Sequence, residues 1–186
     1  KEIFTLNESI KYFNLEGIGK SPSKIDIERI LSINEHYIKN INETELYKYL
    51  KIYAEKYKKR IEDKYDKTLI SSMHFLKNKA KKLEDIYQNS KYIIEDNIKI
   101  SSEDSKLLDS SSKKIIIDFL AQFERMTEVT KENLEKTINE LITKHNTNFK
   151  GVGQPLRVVL TGSRFGPGIY NIILSLKKEI VIKRLK

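Results

Sequence analysis

The chain of 186 residues has no cysteine, no tryptophan, three prolines and seven glycines. Without cysteine it forms no disulfide and no thiolate metal site, which fits a reducing compartment. His36, His74 and His145 stand far apart with no ligand spacing, so no metal site is expected. No apolar run approaches the ~20 residues of a membrane span. Lys1 to Thr5 carries no signal-peptide hydrophobic core. The first residue is Lys rather than Met, as expected of a piece of a longer protein.

Catalytic motifs are missing as well. Gly162-Ser163-Arg164 lacks the lysine that ends a P-loop, and Gly151-Val152-Gly153 runs into Gln154-Pro155-Leu156 instead of a third spaced glycine. Thr161-Gly162-Ser163 is not a nucleophile elbow, because the G-x-S-x-G spacing is absent. Glu62-Asp63 and Glu84-Asp85 read as solvated carboxylates on charged helix faces. No catalysis is expected from this chain alone.

What is present is charge and helical periodicity. Twenty-nine lysines, 27 isoleucines and 13 asparagines are what an AT-rich genome would write. The net charge is +9, but it is unevenly placed. Residues 150–186 hold eight Lys/Arg against one acid, a net of +7, and no acid falls between Glu140 and Glu179. A basic end beside a balanced region points to an anionic partner; the plainer reading is a solvated basic surface.

Beta signals are scarce. Thr5-Leu6-Asn7-Glu8 reads as a capping box opening a helix with Leu6, Ile10 and Phe13 on one face. Asp26 opens the next, with Ile27, Ile30, Leu31 and Asn34 at spacings of three and four. Glu43 to Lys59 reads as a helix striped by Leu46, Leu50, Tyr53 and Tyr57, and Leu69 to Tyr87 as a helix or helix pair. In the Ser/Asp-rich stretch 101–112 the spacing predicts a short helix, then a turn at Ser110-Ser111-Ser112. Ile115, Ile116, Phe119, Leu120 and Phe123 form an apolar face, and Thr130 caps a helix carrying Leu134, Ile138, Leu141 and Ile142. A loop is expected from Asn146 to Gly153. The pattern as a whole predicts an all-α fold of two packed helical subdomains, residues 1–95 and 96–186.

Five of the seven glycines, two of the three prolines and two of the six arginines fall between Gly151 and Gly168. Pro155 suits the first turn of a short helix, Gly162 an αL C-cap, and Pro167 the start of another helix bearing Ile169, Ile172, Ile173 and Leu176. Arg157 and Arg164 then face one small region. Arginine offers a planar fork of donors for a base edge or a phosphate. Phe165 and Tyr170 supply faces on which an unpaired base stacks, unless they are core residues. Stacking faces, base-edge donors and a positive field are the parts of single-stranded RNA recognition.

These same residues carry a resemblance. Gln154-Pro155-Leu156-Arg157-Val158-Val159-Leu160-Thr161-Gly162 followed by Gly166-Pro167-Gly168-Ile169-Tyr170 resembles the C-terminal signature of bacterial glutamyl-tRNA synthetases, QPLR-x-ALTG before (T/S)-P-G-L-(F/Y). Ile3-Phe4-Thr5-Leu6-Asn7-Glu8, Lys20-Ser21-Pro22-Ser23-Lys24-Ile25-Asp26 and Ile33-Asn34-Glu35-His36-Tyr37-Ile38 resemble, in order, three further stretches of that family. The resemblance spans the chain. It implies an all-helical anticodon-binding region cut from its catalytic half, since the family's HIGH and KMSKS motifs are absent.

The resemblance further implies that the intact enzyme is a cytoplasmic, monomeric, ATP- and Mg-dependent class I ligase joining glutamate to its tRNA. The partner would be glutamate tRNA and, in members that accept both, glutamine tRNA; the fragment itself would need no cofactor. Arg157 would hydrogen-bond an anticodon base, the third. Gly166, Pro167, Gly168 and Ile169 would form the loop that meets unstacked anticodon bases, with Tyr170 at the helix start; Arg164 and Phe165, read above from their own chemistry, precede it directly. Gly166 replaces the family's Thr or Ser, leaving only backbone there. Leu76-Lys77-Asn78-Lys79-Ala80 occupies the place of an L-x-R-P-R stretch. Lys77 and Lys79 supply its cations, Lys79 standing for the arginine that reads the first base. A lysine does not reproduce a bidentate arginine contact. The rival reading from composition is a helical protein-interaction domain for acidic partners; a third, membrane-surface binding through Lys177–Lys186, has only a weak amphipathic segment behind it.

Overall fold

The computed structural model describes residues 3–19 and 24–186; Lys20 to Ser23, the first part of one resembling stretch, lie outside them. Among the described residues there are eleven α-helices and no strand. The first group is α1 (Leu6–Tyr12), α2 (Ile27–Asn40), α3 (Glu43–Lys56), α4 (Asp66–Leu76) and α5 (Leu83–Ile94). The second is α6 (Ser102–Ser105), α7 (Ser110–Arg125), α8 (Lys131–Lys144), α9 (Phe149–Thr161), α10 (Ile169–Ser175) and α11 (Lys178–Leu185).

Helix starts follow the sequence closely. Thr5 and Glu8 complete the capping box of α1, while Asp26, Asn42 and Thr130 cap α2, α3 and α8 with their side chains. Each satisfies an amide that the first turn would otherwise leave unpaired.

Four sequence expectations shift. The helix expected over Glu43 to Lys59 stops at Lys56. Lys58 turns to φ 53, Lys58 N–H bonds Glu55 O at 3.0 Å and Lys59 N–H bonds Ala54 O at 2.8 Å. That is a Schellman ending with lysine at the left-handed position usually held by glycine. Ser110 to Ser112 is not a turn but the first turn of α7, because the Asp109 carboxylate accepts Ser112 N–H at 2.8 Å and sets the start there. The expected loop from Asn146 to Gly153 is largely helix: Asn148 caps α9, accepting Gly151 N–H at 3.0 Å, so Pro155 lies inside the helix rather than in its first turn. Pro167 precedes α10 by two residues, and Gly168 is its cap. Leu69 to Tyr87 resolves into the pair α4 and α5.

The faces of α1 and of the start of α2 do not bury. Leu6, Ile10, Phe13, Ile27 and Ile30 are all exposed. The Tyr37 hydroxyl ties this region to the rest by donating to Phe4 O at 2.8 Å. The core begins at Ile38 and runs as one cluster through both groups. In the first group α3, α4 and α5 pack on one another around Leu50, Leu69, Met73 and Ile86. In the second, α9 is the hub and touches α7, α8, α10 and α11. Phe119 and Phe123 stack beneath it at 5.6 Å between rings.

The two groups are joined by α4 against α10 and by α5 against α9. Arg184 of α11 fastens that junction. Its Nη1 donates to Tyr92 O and Leu160 O at 2.8 Å each, and its Nη2 to Glu95 O at 2.9 Å. Tyr92 and Ser175 share a hydroxyl bond of 2.8 Å beside it. One side chain thereby satisfies carbonyls near the C-terminal ends of α5 and α9, groups that have no helical partner of their own.

Candidate nucleic-acid interface

The end of α9 builds the site. Gly162 adopts φ 79 and closes the helix through a 2.8 Å bond to Val158 O. A β-carbon there would stand 2.5 Å from Lys99 O, so only glycine fits both the backbone and the space. The chain then loops through residues 163–168. Ser163 N–H donates to the Thr161 hydroxyl at 3.3 Å and Phe165 N–H to the Ser163 hydroxyl at 3.1 Å. Gly166 takes φ 129 with open space around it, a conformation that the Thr or Ser of the resembling signature would strain.

Arg157 holds this loop from inside. Its Nε donates to Pro167 O and its Nη1 to Arg164 O, each at 3.1 Å. Burial pulls its guanidinium below the ordinary arginine value. Arg164 is also engaged: its Nε donates to Asp104 Oδ1 at 2.5 Å and its Nη2 lies 3.4 Å from Glu103. The Arg164 hydrogen bond holds the Asp104 carboxyl below its ordinary range. The guanidinium also lies 5.8 Å from the Phe165 ring. That ring is 77% exposed, which removes the core reading for Phe165.

The loop forms one wall of a cleft of about 570 Å³ between the two helix groups. The opposite wall is the α4–α5 turn and the start of α5, with Asn78, Lys79, Asp85 and Asn89. Asn171 on the first turns of α10 also faces in. Lys79 has φ 62, a left-handed position for a residue with a side chain, so the turn itself sets the direction in which that side chain leaves the backbone. Across the loop a second recess of about 350 Å³ lies against Phe149, Lys150 and Gln154. Phe165, Arg157 and Arg164 line both recesses, and so stand between them.

The structure therefore brings Arg157, Arg164, Phe165, Gly166, Pro167 and Lys79 together, across a separation in sequence of more than 70 residues. Three other candidates lie elsewhere. Ile169 is 1% exposed and packs in the core. Tyr170 packs on Phe149, 5.7 Å between rings, and burial raises its hydroxyl above the ordinary value. Lys77 turns away from the cleft to bond Ile41 O at 2.9 Å and Glu43 at 3.0 Å, and its hydrogen bond holds the Glu43 carboxyl low. It ties α4 to the α2–α3 junction. Sequence reasoning did not single out Asp104, Asn89 or Asn171. Asp104 and Asn89 act through Arg164 and Leu76 O, outside their own helix turns, and Asn171 enters only because folding sets it on the cleft, so no local spacing marks them.

Comparison with known proteins fits this geometry. The family described as the anticodon binding domain matches residues 36–186. A glutamate–tRNA ligase of Pelagibacter ubique is 57% identical over 185 residues, covering 100% of this chain and 40% of that protein. One from Thermodesulfovibrio yellowstonii is 31% identical, again over the whole chain and 41% of the relative. The chain thus spans about two fifths of the length of these relatives. A crystal structure of a glutamate tRNA ligase from Elizabethkingia meningosepticum, in complex with its amino acid, superposes with a TM-score of 0.80 at 20% identity, over all of this chain and 36% of that one; at that identity the likeness bears on the fold. The chain belongs to the anticodon-binding domain family, as it occurs in the C-terminal part of glutamate–tRNA ligases.

Proposed function

We propose that this chain binds the anticodon loop of a glutamate tRNA in the cleft between its two helix groups. The observation that carries the reading is the convergence of Lys79 with the Arg157-held loop and the exposed Phe165 ring. An anticodon loop offers unstacked bases and a dense run of phosphates. Phe165, with a recess on each side, suits stacking by such bases, and the basic C-terminal region supplies the field that draws the phosphates in. Arg157 acts in two ways: it fixes the loop through Nε and Nη1, and its Nη2, which has no hydrogen bond to a described residue, is left for a base or phosphate oxygen. Lys79 faces a further base from the other wall.

The longer protein would join glutamate to its tRNA with ATP and Mg in the part that this chain does not include, in the cytoplasm, and as a monomer. Anticodon contact here would favour productive placement of the acceptor end there. Glutamine tRNA is a second partner if the lysine at position 79 reads its base loosely.

The test is a titration at fixed salt with glutamate tRNA, the same tRNA changed at its third anticodon base, and the isolated anticodon stem-loop. Weaker binding on that single change supports anticodon reading. Equal binding to every RNA reduces the interaction to charge attraction and returns the helical protein-interaction reading.

A further inference from the structure

The wall of the cleft opposite the arginine loop has a fixed polarity. Asn89 Nδ2 lies 3.0 Å from Leu76 O. A carbonyl only accepts, so the nitrogen end of this amide must face Leu76 and the oxygen end is what remains to offer. Asp85, one turn earlier on α5, is oriented in the same sense. Its Oδ2 accepts Lys81 N–H at 2.8 Å and Lys82 N–H at 3.0 Å, which pins the carboxylate and leaves Oδ1. Asn89 and Asp85 both line the cleft. Neither remaining oxygen accepts a hydrogen bond from a described residue. Asn78 and Asn171, by contrast, have no side-chain partner among the described residues, so their amides turn to suit a ligand.

We propose that Asn89 and Asp85 form an acceptor wall that reads the exocyclic amino group of one anticodon cytosine and thereby disfavours uracil. The inference rests on the RNA-binding reading above. Cytosine places an N4 amino donor where uracil places the O4 acceptor. Two fixed acceptors bond the first and repel the second. Because α5 and the α4–α5 turn hold both oxygens, the preference needs no rearrangement of the protein. A site built to bond a donor rejects the analogue lacking it, since its polar groups are then left unpaired.

The experiment removes the two partners separately. The RNA is a glutamate anticodon stem-loop in its CUC form, with the first or the third cytidine replaced by the pyrimidin-2-one riboside, which carries hydrogen in place of the amino group. Wild-type chain should lose roughly tenfold in affinity at one of the two positions, a bidentate-scale effect. Asn89→Ala should lose a similar factor on the natural stem-loop and almost nothing more on the substituted one. Asn89→Ser, which keeps a small polar group beside Leu76 O, replaces the alanine variant if that does not fold. Independent, multiplicative losses, or no loss with wild type at either position, overturn the acceptor wall while anticodon binding stands. A wild-type chain that binds the stem-loop no better than a scrambled hairpin overturns the RNA reading itself, and the acceptor wall with it.

Discussion

Arg157 Nε donates to the carbonyl oxygen of Pro167 at 3.1 Å, across the loop that forms the arginine side of the cleft. The residue is therefore both a support for the loop and a charge within the cleft. Arg157→Ala should cost roughly 1–3 kcal/mol of discrimination between matched and mismatched anticodons. Arg157→Lys keeps the charge and cannot bridge Arg164 O and Pro167 O in the same plane. It should therefore lose most of the same discrimination, and amide exchange across residues 163–168 should quicken. Equal losses against matched and mismatched RNA in both variants would reduce Arg157 to a phosphate contact.

Lys79 is predicted to trade stability for charge at the opposite wall. Its φ of 62 costs a residue with a β-carbon about 1 kcal/mol, a cost glycine does not bear. Lys79→Gly should raise the melting temperature and weaken stem-loop binding together. Lys79→Arg should leave stability nearly unchanged and sharpen selection at the first anticodon base. An unaltered ratio between C- and U-starting anticodons in the arginine variant would remove Lys79 from base reading.

The Arg164–Asp104 pair gives the cleft an acid limit. The Arg164 hydrogen bond depresses the Asp104 carboxyl in the folded chain, as the Lys144 and His145 contacts depress Asp118. A depressed carboxyl contributes stability above its unfolded value of about 4, and that contribution fades as the pH falls through the lower folded value. Asp104→Asn should be less stable than wild type at neutral pH and should lose less stability between about pH 4 and pH 2. Urea melts across that range check it; parallel curves for the two chains would count against the pair.

Arg184 should matter more than any surface cation. Three carbonyl oxygens, of Tyr92, Glu95 and Leu160, depend on it at the junction of the two helix groups. Arg184→Leu would leave them without their donor at a cost on the order of 2–5 kcal/mol. Arg184→Lys, with one ammonium for three acceptors, should recover only part of that. Thermal unfolding of the three chains measures the ordering, and a lysine variant as stable as wild type would contradict the shared-clamp geometry.

Much of this was legible in the sequence, and for local reasons. Thr5 with Glu8, Asp26 and Thr130 announce helix starts through side-chain caps that need nothing beyond the next three residues. Gly162 announces a helix end by the same logic. The misplacements also have local causes. Asn148 outcompeted Pro155 as the start of α9, and Asp109 drew three serines into α7 as its first turn. The site was half legible. Arg157, Arg164 and Phe165 lie within nine residues, so their convergence shows as a concentration of Gly, Pro and Arg. Asn89 and Asp104 do not show, because each acts through a partner beyond its own helix turn, and the local contacts of Asp85 say nothing of the cleft it lines. Ile169 and Tyr170 sit in the same stretch yet turn inward, since α10 must bury one face.

The most direct measurement is a photocrosslink from the middle anticodon base. A glutamate anticodon stem-loop carrying 4-thiouridine there is bound to the chain, irradiated and mapped by mass spectrometry. Crosslinks to peptides containing Phe165 or Lys79, abolished by excess unlabelled stem-loop but not by a scrambled hairpin, are the expected result. Crosslinks confined to the outer faces of α7 and α8, or spread along the lysine-rich surface and displaced equally by both competitors, would contradict anticodon binding in the cleft.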